Sequence, residues 1–317
     1  MLTVTTFRRL YTTDAPLTVT GLLMVAALIP ALAGLWLDPR VITGAPAWLK
    51  PAKFAVSTAI YTLTLAWIFT YLPDWVRTRR LVGRGSAAIL IFEVAAIYFQ
   101  AWRGTTSHFN VATPLDGALF TAMGLAIVIQ TAGAASVAVA LWRQPFADAA
   151  LGWALRLGLT LSIVGASTGG LMTAPRASQI AEARATHHMA VSGAHTVGAP
   201  DGGPGLPGTG WSREHGDIRV AHFIGLHAMQ VLPVVAWLLT RRRESDTRAM
   251  RLTFVAAGSY FALFTLLLVQ ALSGESVAAP SPVFVTAFAL WVLTTGTGLV
   301  VAMRRQATTS SRMAVIA

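Results

Sequence analysis

The chain contains no cysteine, and few of its residues are charged. The absence of cysteine excludes structural disulfides, thiolate metal sites, iron–sulfur clusters and covalently attached c-type haem. Only 12% of the 317 residues are charged, whereas a soluble domain carries about 25%. Histidine, carboxylate and water therefore remain as ligands for any metal, and the chain is not expected to be a soluble domain.

The sequence also lacks a phosphate-binding loop and an HExxH motif. Its net charge of +11 would suit a nucleic-acid partner. However, the basic residues form short clusters between apolar runs, which is the topology pattern of membrane proteins. We therefore expect the chain to interact with a lipid bilayer and not with nucleic acid.

Hydrophobic residues make up 55% of the chain and come in eight runs long enough to cross a bilayer. They predict an all-α polytopic membrane protein that forms one membrane domain, residues 1–317. The first run could also be a signal peptide, but its full length favours a retained helix. The predicted spans are about 17–37, 51–72, 86–108, 115–142, 150–173, 218–240, 252–273 and 282–303.

The basic residues are divided unequally between the two ends of these spans. Fifteen of the 24 lie on the side that holds both termini, and eight lie on the other side. Since basic residues accumulate in cytoplasmic loops, we expect a bacterial-type cytoplasmic membrane with both termini in the cytoplasm. All seven histidines then lie on the outer side or in the outer half of the membrane.

The only long connection between spans, residues 174–217, is expected on the outer side. We call it the outer loop. Its first part, 177–194, has a composition that predicts a short helix. Its second part, 198–210, is rich in glycine and proline and predicts a coil or a lid.

Short matches between the two halves indicate an internal duplication. Gln100–Gly104 resembles Gln270–Gly274 at an offset of 170 positions, whereas Lys50–Phe54 aligns with Arg219–Phe223 at an offset of 169. A one-residue slip within a helix would reconcile the two offsets. We predict two pseudo-repeats in the same orientation, about 17–143 and 150–305, with the outer loop inside the second.

Polar residues inside the third span suggest a site. Glu93, Gln100, Gly104 and His108 follow at spacings of seven, four and four, so they form one stripe if the helix continues to His108. An ionisable residue at membrane depth usually faces a cavity or a ligand. Glu93 and His108 are therefore the predicted catalytic residues, although a structural carboxylate and a loop histidine would give the same pattern.

The sixth span opens with the segment Asp217–Gln230, which holds His222 and His227. Five residues separate about 140° on an ideal helix, so the two histidines are not expected to share a single metal without a distortion. In the fifth span, the small residues Gly165–Gly170 predict close helix packing. The predicted cofactor-binding residues are His222, His227, His108, Arg103, Arg219, Lys53, Gln100 and Gln230, and His222, His227 and His108 are also the predicted ligands of haem iron or another metal.

Three segments, Trp48–Phe54, Gly104–Asn110 and Asp217–Gln230, resemble those of a bacterial family of multi-pass membrane proteins with no assigned activity. The layout also resembles haem A synthase, which has eight spans, two four-helix repeats and histidine haem ligands toward the outer side. That resemblance implies a haem ligand at His222. The chain departs from the family at Lys53, where a histidine is expected, in its eighth span, which has no histidine, and in its lack of an outer cysteine pair.

These observations predict an outward-facing polar pocket lined by histidines, in a protein that binds haem b or a quinone for redox chemistry. A transporter or receptor for a small amphipathic or anionic compound would use the repeat, Glu93 and the outer basic residues. A zinc-dependent intramembrane hydrolase would use His108, His222 and His227 with a carboxylate.

Overall fold

The computed structural model describes residues 4–241 and 244–304, and the fold is 73% helical. Arg242, Arg243, Arg305 and Arg312, which contribute to the charge pattern, lie outside this part. The helices are α1 (Val4–Thr13), α2 (Ala15–Leu37), α3 (Leu49–Phe69), α4 (Val76–Arg103), α5 (Pro114–Arg143), α6 (Ala149–Ser167), α7 (Gly169–Thr173), α8 (Ala177–Thr186), α9 (Ile218–Leu226), α10 (Ala228–Arg241), α11 (Asp246–Leu272) and α12 (Pro282–Met303). Two strand pairs join β1 (Val41–Ile42) to β2 (Ala45–Pro46) and β3 (Thr196–Val197) to β4 (Gly216–Asp217).

Seven helical segments in the described residues are long and apolar enough to cross a membrane, and the bent pair α9–α10 raises the number to as many as eight. The fold is therefore all-α and compatible with a multi-pass membrane protein, as the apolar runs predict. Helix α1 was not predicted. Asp14 follows it, and its carboxylate caps α2 by accepting a hydrogen bond from the backbone N–H of Leu17 at 2.9 Å.

The third span differs from its predicted bounds. Helix α4 begins at Val76 and ends at Arg103, because Gly104 follows with a left-handed φ of 77° and terminates the helix. His108 therefore lies in the connection to α5, and the proposed helical stripe from Glu93 to His108 is wrong beyond Arg103.

The sixth span is broken at His227, where α9 and α10 meet at an angle of 45°. Two side chains from other helices satisfy the backbone at this break. Ser162 donates to the carbonyl of Leu226 at 2.8 Å and accepts from the N–H of Met229 at 2.9 Å. Tyr260 donates to the carbonyl of Ile224 at 2.5 Å. The break is thus built into the packing of α6 and α11 around this span.

The two halves pack their helices in the same pattern. In the first half, α2 packs on α3, α3 on α4, α4 on α5, and α2 on α4. In the second half, α6 packs on α9 and α10, these pack on α11, α11 packs on α12, and α6 packs on α11. Contacts between α5 and α6 join the halves, and an apolar core that includes Phe69, Leu141 and Leu155 fills the ends of these helices opposite the outer loop.

The outer loop folds back over the helix ends. It contains α8, which confirms the short predicted helix with a narrower range, while 198–210 has no regular element, as predicted. The Arg176 guanidinium donates to the carbonyls of Ala194 and Thr196 at 3.1 and 3.3 Å, and the Gln179 amide donates to the carbonyl of Gly193 at 2.9 Å. These bonds join the start of the outer loop to residues 193–196 of the same loop.

Candidate functional site: a histidine cluster under the outer loop

Four ionisable side chains from four parts of the chain approach each other beneath the outer loop. They are Lys50 at the start of α3, His108 after α4, His195 in the outer loop and His222 in α9, and we call them the histidine cluster. His108 is close enough to interact electrostatically with the other three, and His195 with Lys50 and His222. Each of the four side chains is half-buried.

Two aromatic rings organise this cluster. The Phe54 ring lies 5.8 Å from the ring of His108 and 5.9 Å from the ammonium of Lys50. The Phe109 ring lies 6.2 Å from His108 and 4.8 Å from His195. The Phe54 ring thus links His108 to α3, and the Phe109 ring links His108 to the outer loop.

In each histidine of the cluster, the Nδ1 atom is engaged by a neighbouring polar group. In His222 it lies 2.9 Å from the carbonyl oxygen of Gly165. In His195 it lies 2.8 Å from a carboxylate oxygen of Asp201, and in His108 it lies 3.0 Å from the hydroxyl of Ser107. A hydrogen bond at Nδ1 fixes the orientation of the ring and leaves Nε2 available to a ligand. No Nε2 atom in the cluster has a hydrogen-bond partner among residues 4–241 and 244–304.

The surroundings of His108 and His195, which lie outside the spans, lower the pKa of both rings. Burial, followed by the charges of Lys50, His195 and His222, lowers the pKa of His108 well below its ordinary value. Burial lowers the pKa of His195 as well, although the hydrogen bond to Asp201 opposes that effect. Burial alone would raise the pKa of Asp201, but its hydrogen bonds with His195 and Thr196 outweigh it, and the pKa of this carboxyl falls below its usual range.

Acidification is expected to destabilise the closed outer loop between about pH 6.5 and 5. The pKa values of His108 and His195 are lower in the folded protein than in an unfolded chain, so the unfolded chain takes up protons first as the pH falls. Their stabilising effect is therefore complete above pH 6.5 and is lost below it, whereas Asp201 begins to titrate in the unfolded chain only near pH 4. Thermal unfolding of the purified protein should show a melting temperature several degrees lower at pH 5 than at pH 7.5.

The variant His195→Gln should flatten this pH dependence, because it removes one of the two titrating rings. The variant His187→Asn is the control, since His187 is exposed at the end of α8 with a φ of 53° that asparagine tolerates. An equal slope in wild type and His195→Gln would contradict this assignment.

Glu93 is a buried carboxyl near the cluster. Only 3% of its surface is exposed, and its Oε1 atom has no hydrogen-bond partner within the described residues. Lys50 is the charge close enough to interact with it. Burying an ionised carboxyl without a partner is costly. We therefore expect Glu93 to be protonated or to interact with a ligand or a cation.

Lys53 and Arg219, both predicted cofactor-binding residues, hold the outer loop. The ammonium of Lys53 donates to the carbonyl of Thr209 at 2.5 Å. The guanidinium of Arg219 donates to the carbonyl of Gly210 at 2.7 Å and forms an ion pair with Asp217 at 2.6 Å. These two cations therefore hold the glycine-rich segment over the starts of α3 and α9. Lys50, the cation of the cluster, has no hydrogen-bond partner among the described residues.

Arg103 and Gln100 belong to another network. Arg103 donates to Asp116 at 2.5 Å, and Gln100 donates to the same carboxylate oxygen at 2.8 Å. Thr113, the N-cap of α5, bonds to the other oxygen of Asp116 at 2.5 Å. This network joins the end of α4 to the start of α5. The polar groups of Arg103 and Gln100, both predicted to bind a cofactor, bind Asp116 instead.

His227 and Gln230 lie apart from the contacts that define the cluster. The His227 ring packs 4.3 Å from Phe223, at the helix break, and the Gln230 amide lies 3.5 Å from the hydroxyl of Thr64 on α3. His195, which was not predicted, contributes the third histidine. Its signal in the sequence was weak: a histidine before a glycine-rich segment, with Asp201 six residues later.

The described residues contain no group of three or more His, Cys, Asp or Glu side chains arranged to hold a metal ion. Comparisons with known protein families, with curated proteins and with solved structures find no significant match to this chain. The resemblances drawn from the sequence therefore rest on its residues alone.

Proposed function

We propose that the chain resides in a bacterial-type cytoplasmic membrane, with both termini in the cytoplasm and the histidine cluster facing outward. The excess of basic residues at one end of the spans supports this orientation. Described members of that group, such as Arg77, Arg80 and Arg84, lie at the end of α4 remote from His108. The outer loop and the cluster share the opposite end.

The duplication is part of the same proposal, and three observations support it. The helices pack in one pattern in both halves. Gly104 and Gly274, which are 170 positions apart, end α4 and α11 with left-handed φ values of 77° and 80°. The break at His227 also supplies a place in the second half for the one-residue slip between the offsets, whereas α3 continues unbroken.

For the cluster, we propose that it binds a redox ligand of the quinone class. The observation that carries this proposal is the set of three imidazoles, each engaged at Nδ1 and without a partner at Nε2 among the described residues, together with Lys50 and with Glu93, whose Oε1 has no partner in that part of the chain either. A quinone headgroup needs polar contacts at its oxygens and apolar contacts at its ring, and Phe54 and Phe109 supply the latter.

Haem b fits these residues less well. The bond from His222 to the Gly165 carbonyl is of the kind that orients an iron ligand. However, the cations that would balance haem propionates, Arg103, Arg219 and Lys53, are already bonded to Asp116, Asp217 and Thr209. This difference favours the quinone over the haem within the redox class.

Purification from membranes should show which ligand is present. We expect a lipid-soluble quinone in organic extracts of the purified protein, at about one per chain, and no Soret band in its absorption spectrum. The variant Glu93→Gln should retain the fold and lower quinone occupancy several-fold. Ser57→Ala is a milder control on α3. A Soret band lost in His222→Phe would establish haem instead.

A transporter or receptor for a small anionic compound is the second candidate. It is favoured by the free Lys50 ammonium under a loop that Lys53 and Arg219 hold closed. Uptake of an anion into proteoliposomes that requires Lys50 and Glu93, by a protein without extractable quinone, would support this function and oppose the redox proposal.

A further inference from the structure

The tautomers of two rings in the histidine cluster can be assigned from their partners. A carbonyl oxygen only accepts hydrogen bonds, so the Nδ1 of His222 must carry the proton that it donates to Gly165. In its neutral form, the His222 ring then carries a lone pair at Nε2, and this atom can only accept a hydrogen bond.

The same reasoning applies to His195. Its partner Asp201 accepts backbone N–H bonds from His195 and Thr196 at 2.8–3.0 Å, so this carboxyl is ionised. The Nδ1 of His195 must therefore donate to it at 2.8 Å. The Nε2 of a neutral His195 is again an acceptor, and it has no partner in the described part of the chain.

The two neutral imidazoles therefore need a ligand that donates hydrogen bonds to their Nε2 atoms. A further acceptor is the Oε1 of Glu93, which has no hydrogen-bond partner among the described residues and lies close enough to Lys50 to interact with its charge. The Lys50 ammonium, 5.9 Å from the Phe54 ring, can donate to the same ligand. A quinone carbonyl can only accept, so it would leave the imidazoles unsatisfied. A quinol hydroxyl donates one hydrogen bond and accepts another, and so satisfies an imidazole and Lys50 together.

We infer that the histidine cluster selects the reduced, hydroxyl-bearing quinol over the oxidised quinone. This inference rests on the proposed function, because it specifies which form of a quinone-class ligand the site binds. The hydroxyl hydrogens would be donated to the Nε2 atoms of His195 and His222 or to Glu93. No electron transfer is required for the selection.

The test is an anaerobic titration of the full-length protein in lipid nanodiscs with decylubiquinol and, separately, with decylubiquinone. We expect the quinol to bind about tenfold more tightly, which corresponds to the net effect of one or two ordinary hydrogen bonds. The variant His195→Phe keeps a ring against Phe109 but removes one acceptor, and it should reduce the preference to about threefold. His187→Asn, on the exposed end of α8, should leave the preference unchanged.

The wild-type comparison tests the inference even if His195→Phe fails to fold. Equal affinities, or tighter binding of the quinone, would overturn the selection of quinol while leaving a quinone-class site in place. Failure of both compounds to bind would instead overturn the proposed function itself, and the selection with it.

Discussion

Replacing Asp217 with alanine should release the outer loop and lower the free energy of unfolding by about 3 kcal/mol. Only 2% of the Asp217 surface is exposed, and its carboxylate forms an ion pair with Arg219 at 2.6 Å. It also accepts the backbone N–H of Ser212 at 2.8 Å and caps α9 through the N–H of Arg219 at 3.0 Å. The expected loss is at the lower end for a broken buried pair, because Arg219 is still partly exposed to water.

Two measurements separate loop release from general unfolding. Thermal unfolding in detergent gives the loss of stability, and limited proteolysis at room temperature should show new cleavage within 198–210 while the helices remain intact. Asp74→Ala is the matched control, because Asp74 is exposed in the turn before α4 and its loss should cost less than about 0.5 kcal/mol. If the 198–210 segment of the Asp217→Ala variant stays as resistant as wild type, the anchoring role of this carboxylate is disproved.

The long apolar helices could be predicted because a bilayer would impose a length and a hydropathy on every span. The bounds of α5 and α12 differ from prediction by at most one residue at either end. The predicted C-terminal end of α4 was wrong, because the backbone conformation of Gly104 sets that end and hydropathy does not. Gly104 terminates the helix and turns His108 away from the stripe that spacing alone suggested.

The site was only partly predictable for a different reason. Glu93, His108 and His222 stand out because ionisable residues are rare at membrane depth. His195 lies in a segment with no periodicity, and only the folded loop brings it to Phe109 and Asp201. Lys53 and Arg219 have the charge expected of ligand-binding residues, yet their partners are carbonyls of the outer loop. Which cation remains free depends on contacts that are distant in sequence.

Replacing Gly165 with alanine should strongly disturb the helix packing around His222. A Cβ at this position would lie 2.5 Å from the backbone Cα and C atoms of Gly225 on α9, which cannot move away as a flexible side chain could. Overpacking of this kind costs about 1–3 kcal/mol, and it exceeds the gain of about 1 kcal/mol that alanine brings to a helix interior. The separation of α6 and α9 would also stretch the bond from the Gly165 carbonyl to His222.

Gly258→Ala is the control, because no atom lies within 4 Å of the added methyl group and the helix propensity of alanine should make this variant neutral or slightly more stable. The two variants add the same atom to helices of the same half, so a difference in melting temperature reports the close approach of α6 and α9. Gly165→Ala should also weaken quinol binding, since His222 would lose the partner that fixes its tautomer. A Gly165→Ala variant as stable as Gly258→Ala would show that the α6–α9 contact can expand without cost, and that the carbonyl of Gly165 does not hold the ring in place.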